Sequence, residues 1–164
     1  MNSFERRYEK IPVEIYKESS EASAFIARHV ANLISTRAAE KKNVVLGFSV
    51  SSAIIGVLEE LVHIHKKEGL SFANVITFNT EAYFPMPIDA LQSRFRFMNE
   101  YFFESVDIPA QNINFPNNQL PKNEIAEFCV RYEEKIAAVG GIDILVLGDC
   151  QLAFNEPGSP YNSR

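Results

Sequence analysis

Tryptophan is missing from this chain of 164 residues, and cysteine occurs only as Cys129 and Cys150. Two cysteines make neither a disulfide framework nor a metal cluster, so the expectation is a reduced, cytoplasmic protein without metal. Basic side chains number 16 against 21 acidic ones, a net charge of −5. No basic cluster is longer than Lys41-Lys42 or Lys66-Lys67, which argues against a nucleic-acid partner. No apolar run approaches a membrane span, and Met1 to Arg7 lacks the apolar core that follows the charges of a signal peptide. There is no internal repeat and no low-complexity tract. What is present is ordinary for a globular protein: 46% hydrophobic and 23% charged residues, a length and composition that fit one domain over residues 1–164.

Apolar spacing sets the expected elements. Ile11 to Tyr16 alternates and reads as an edge strand with proline at its start. Ser19-Ser20-Glu21 offers a helix N-cap ahead of residues 22–40, where Phe25, Ile26, Val30, Leu33 and Ile34 recur at helical spacing. Val44–Phe48, Val75–Phe78 and Ile142–Leu147 are short continuous apolar runs, the pattern of strands buried on both faces. Between and around them, Ile54–Lys67, Asp89–Phe103 and Asn123–Val139 read as helices, the first ended by Gly69 and the last by Gly140-Gly141. Asn112–Pro121 reads as a loop. Strands alternating with helices imply parallel βαβ units with right-handed crossovers. The expected fold is therefore a three-layer α/β domain with a mainly parallel, Rossmann-like sheet, and functional loops after Phe48, Phe78 and Leu147.

Near the carboxyl terminus, Phe154-Asn155-Glu156-Pro157-Gly158-Ser159 puts an acid between an aromatic residue and a Pro-Gly turn, just after an apolar segment. That is where open α/β sheets place their chemistry. With Leu46 to Ala53, Gly69 to Val75, Phe78 to Tyr83 and Gly140 to Asp143, this motif resembles the glucosamine-6-phosphate deaminases. They share a superfamily with the 6-phosphogluconolactonases. The resemblance follows family order and spacing over nearly the whole chain and corresponds to the amino-terminal part of the family domain. It implies truncation at the carboxyl end, because family members continue with further strands and basic residues that grip the phosphate. An exposed sheet edge would invite pairing with another copy, so a homo-oligomer is expected.

The resemblance also assigns roles. It implies an amino sugar phosphate as ligand and no cofactor, with substrate or phosphate contacts from Gly47, Ser49, Ser51, Ser52 and Asn155. Ser51, Ala53 and Ile54 stand where the family has glycine, threonine and proline. A glycine is used where φ is positive or a ligand approaches closely, so serine at 51 implies strain or a changed turn. The amides of Ser52 and Ala53 remain able to face an anion; equally, these serines suit plain helix capping. Glu81 falls on the family's proton-transfer aspartate and Ala82 on its second acid. Asp149 and Glu156 match acids that orient a ring-opening histidine, and Gln151 stands at that histidine. A glutamine cannot titrate. His29, His63 and His65 lie on helices and offer no substitute.

Ser52, Glu81, Asp149 and Glu156 are expected around one cleft at the carboxyl ends of the strands. Two functions follow. The first is deaminase-like conversion of an amino sugar 6-phosphate to a ketose 6-phosphate and ammonia, weakened by Gln151. The second is a non-catalytic sugar-phosphate-binding or assembly module on the same scaffold. A lactonase-like hydrolase ranks behind both, because Asn155 to Gly158 resembles the deaminase branch.

Overall fold

The computed structural model describes residues 12–148. Four strands, β1 (Val44–Phe48), β2 (Val75–Asn79), β3 (Ile113–Asn114) and β4 (Ile144–Val146), form one sheet in the order β3-β2-β1-β4. Every neighbouring pair is parallel. Four α-helices accompany them: α1 (Ser19–Ala39), α2 (Ile55–Glu68), α3 (Arg94–Tyr101) and α4 (Ile125–Ala138). The three-layer α/β expectation holds.

β1 is buried along its whole length, as its unbroken apolar run predicts. Val44, Leu46 and Phe48 join Val75, Val30 and Ile34 of α1, and Leu58 and Leu61 of α2, in the main core. This one-sided cluster docks α1 and α2 against the sheet. Phe102, just past α3, sits with its ring 5.8 Å from Phe48 and 5.5 Å from Phe72, and Met98 of α3 is fully buried in the same cluster. On the opposite face Phe78 meets Tyr132 of α4 at 5.6 Å. No residue of α4 is buried, so that face is the thinner layer.

Several expectations are corrected. Residues 12–16 form no strand and are almost all exposed, because alternation alone gives a strand nothing to pair with; Ile11 lies outside the described residues. α1 starts at Ser19 with Glu18 as its N-cap and no side-chain cap bond. α3 is shorter than residues 89–103, because Ser93 caps it by accepting the Arg96 amide. The stretch 112–121 contains β3. Here Asn112 and Asn114 donate to the carbonyls of Val75 and Thr77, so polar side chains, invisible to hydrophobic patterning, hold the edge. β4 is three residues long, and only Val146 in it is buried, where a fully buried strand over residues 142–147 was expected. Gly69 ends α2 at φ 76° as expected.

Candidate functional site

The carboxyl ends of β1, β2 and β4 lie side by side, so their following loops meet. The Ser49 amide donates to the Val146 carbonyl at 3.0 Å, and the Thr80 amide to the Phe48 carbonyl at 3.0 Å. These bonds extend the sheet pattern by one residue and aim both loops the same way. Across the junction the Ser49 hydroxyl donates to Glu81 Oε1 at 3.2 Å. Glu81 is half-buried and enters no ion pair among the described residues. A carboxylate so placed keeps acceptor capacity for a ligand proton, the basic requirement for a general base.

The first loop holds a surprise at Ser51. Its φ of −145° and ψ of 168° are extended backbone, which any residue adopts. The strain expected from serine at this position is therefore absent. Its Oγ accepts the Ala53 amide at 3.2 Å and caps a short 3-10 turn, Ser52–Ile54, that runs into α2. The Ala53 amide is thus already engaged, which corrects the expectation that it faces an anion. The amides of Ser51 and Ser52 donate to no acceptor among the described residues. The capping reading holds for Ser51 without removing those two amides from ligand contact.

Two glycines have reasons of packing. A Cβ on Gly148 would lie 1.8 Å from Ser51 Oγ, so glycine is what lets the loop after β4 pass against the first loop. A Cβ on Gly47 would come 2.7 Å from Leu145 Cδ1. Gly47 is buried within β1, a place that fits sheet packing and not the ligand contact expected for it. Asp149, Cys150, Gln151, Asn155 and Glu156 lie outside the described residues.

Sequence reasoning missed Arg94. As first residue of α3 it is carried to the site by Met98 and Phe102, which anchor the helix beneath Phe48. Its Nη1 donates to the Val50 carbonyl and its Nη2 to the Tyr83 hydroxyl at 2.9 Å. The guanidinium carbon lies 4.8 Å from the Tyr83 ring centroid, a cation–π distance. An arginine opening a helix carries no motif by which spacing could flag it. Asn79, at the end of β2, is also fully buried, and neither polar atom of its side chain has a partner among the described residues.

The histidines are elsewhere. His65 Nδ1 lies 2.6 Å from the Leu70 carbonyl and 3.7 Å from Asp107, before the amino end of β2. His63 is exposed on α2. Two surface hollows, one between β3 and α4 and one between α1 and α2, are lined by none of the loop residues above. Among the described residues no group of three or more His, Cys, Asp or Glu could hold a metal, and no helix is long and apolar enough to cross a membrane.

The chain as a whole is similar to proteins of known kind. A glucosamine-6-phosphate deaminase-like protein of Bacteroides thetaiotaomicron is 41% identical over 99% of this chain, which spans 26% of that relative. A glucosamine-6-phosphate deaminase of Yersinia enterocolitica is 38% identical over 90% of the chain. The chain is a relative of the glucosamine-6-phosphate deaminases. It spans about half the length of the Yersinia deaminase, 56%. Among solved structures, a monomeric glucosamine-6-phosphate deaminase of the NagB superfamily superposes with a TM-score of 0.83 at 28% identity, over 94% of this chain and 63% of its own. A 6-phosphogluconolactonase of Thermotoga maritima, at 22% identity and a TM-score of 0.61 over 75% of this chain and 53% of its own, shares the fold. No family model matches the chain.

Proposed function

We propose that this chain serves the isomerising deamination of an amino sugar 6-phosphate, giving a ketose 6-phosphate and ammonia. The observation that carries the reading is the Glu81 carboxylate held by the Ser49 hydroxyl where the loops after β1 and β2 meet. In the proposed step Glu81 takes the C2 proton of the opened sugar and returns it to C1 of the enediol-like enolamine, as a positioned carboxylate can. Water then adds to the resulting C2 imine, supplies the ketone oxygen and releases ammonia as the C–N bond breaks. Ser51 and Ser52 hold the phosphate, Ser49 stands at the substrate site and holds Glu81 in place, and Asn155 contributes to the substrate site. Asp149 and Glu156 polarise the group that opens the ring, at the position of Gln151.

Gln151 cannot shuttle a proton, so turnover is slow. A group of this kind typically contributes about 100- to 10,000-fold. The test is ammonia release from glucosamine 6-phosphate, with the unchanged chain beside Gln151→His and Glu81→Gln. Faster release by Gln151→His and loss of release in Glu81→Gln are expected. Equal rates for Gln151→His and the unchanged chain would overturn the role given to position 151.

A second reading, a sugar-phosphate-binding module without turnover, is favoured by Gln151 together with Ala82 at the second acid position. Binding by calorimetry without ammonia release would establish it. For assembly we propose a homo-oligomer, supported by the half-exposed α4 face and the two-residue β3 edge; light scattering tests it. For location we propose the cytoplasm, in keeping with cysteines that show no pairing pattern, and microscopy of the tagged chain tests it.

A further inference from the structure

We infer that Arg94 is a positioning residue that shapes the loop after β1 for an anionic ligand. The inference rests on the sugar-phosphate reading above and adds to it a residue outside the expected site. Four of the five described arginines face a carboxylate: Arg28 with Glu68, Arg37 with Asp143, Arg96 with Glu100 and Arg131 with Glu127. Arg94 faces none among the described residues. Its Nε is buried without a partner among the described residues, and its terminal nitrogens hold the Val50 carbonyl and the Tyr83 hydroxyl. A positive charge thus sits behind the first loop without a neutralising acid among the described residues.

The bond to Val50 has a directional consequence. A carbonyl oxygen facing a phosphate would repel it, and Arg94 holds this one toward α3. The Val50–Ser51 peptide is trans, since the one cis bond described is Phe84-Pro85. In a planar trans peptide the C=O and the next N–H point in opposite directions. Fixing the Val50 oxygen on Arg94 therefore turns the Ser51 amide away from α3. The amides of Val50, Ser51 and Ser52 have no acceptor among the described residues, and an oriented set of free amides backed by positive charge is what binds phosphate at such a turn. Through Tyr83 the same guanidinium ties this loop to the one that carries Glu81, two residues earlier in the chain.

The experiment uses the whole chain, with inorganic phosphate, glucosamine 6-phosphate and glucosamine as probes. Calorimetry supplies affinities, and amide spectra report Ser51 and Ser52. In the unchanged protein phosphate is expected to shift both amide signals. Arg94→Met is expected to weaken phosphate and sugar-phosphate binding about 10- to 100-fold, the loss expected for a charge-assisted bond, and to leave the weaker binding of unphosphorylated glucosamine unchanged. A purely structural role would weaken all three ligands alike. Arg94→Lys keeps the charge but cannot hold both partners; it is expected to fall between the two, and it decides the matter should Arg94→Met fail to fold by circular dichroism. Unchanged phosphate affinity in a folded variant overturns the inference and leaves the functional reading standing. No binding of either phosphorylated probe by the unchanged protein overturns the functional reading and the role of Arg94 with it.

Discussion

At the scale of single residues, the first loop shows that a departure from a family pattern is not by itself a defect. Serine at 51 replaces an expected glycine, yet its backbone is extended and its hydroxyl caps the turn leading into α2. Restoring glycine removes the cap and relieves nothing. Ser51→Gly is expected to lower stability by a few tenths to about 1 kcal/mol, read from the urea midpoint; a more stable variant would mean that serine is strained after all. Asp107 is a second residue whose role only the structure reveals. Burial raises its pKa, but bonds from the Phe72 amide at 2.6 Å and the Ser71 hydroxyl at 2.7 Å outweigh this and leave it lowered. A lowered carboxylate pKa gives stability that is fully present above its unfolded value and is lost as pH falls through the folded one. Asp107→Asn is expected to cost about 1 kcal/mol at neutral pH, a charged-bond value reduced because the side chain is 45% exposed. The difference from the unchanged protein should shrink below about pH 4, as thermal melts across pH would show.

At the scale of elements, strands and helices with a strong apolar signature were legible and the polar-held ones were not. β1 matches its run residue for residue, and β2 is longer by only Asn79. β3 escaped because Asn112, Asn114 and Tyr132 hold it through hydrogen bonds. The Tyr132 hydroxyl lies 2.9 Å from the Asn79 carbonyl and 3.0 Å from the Asn114 carbonyl, joining the carboxyl ends of β2 and β3. Burial pushes its pKa up, so the phenol stays a neutral donor. Tyr132→Phe strands these carbonyls and is expected to cost about 1–3 kcal/mol. Amide exchange should then speed up at residues 113–114; unchanged exchange there would mean that the phenol does not hold the edge.

At the scale of the molecule, packing is uneven. The face covered by α1 and α2 carries the buried core, whereas α4 buries no residue and β4 buries only Val146. Local stability follows burial. Hydrogen exchange is therefore expected to be slowest at residues 44–48 and 75–79, and faster at 125–138 and 144–146. Equal protection across both layers would contradict this account.

The α/β class, the parallel arrangement implied by alternating strands and helices, and the resemblance carried by Phe78 to Tyr83 and Phe154 to Ser159 are legible in the order of residues alone. Those rest on local periodicity and on residues that motifs keep close together in the chain. The folded chain was needed to reveal that Ser49 bonds Glu81 across 32 positions, that Gly148 makes room for Ser51, and that Arg94 reaches back to Val50 across 44. Such contacts arise because parallel strands bring their carboxyl-end loops together from distant stretches of chain. The pairing of distant side chains leaves no periodic trace in sequence; it becomes visible once the sheet sets its register.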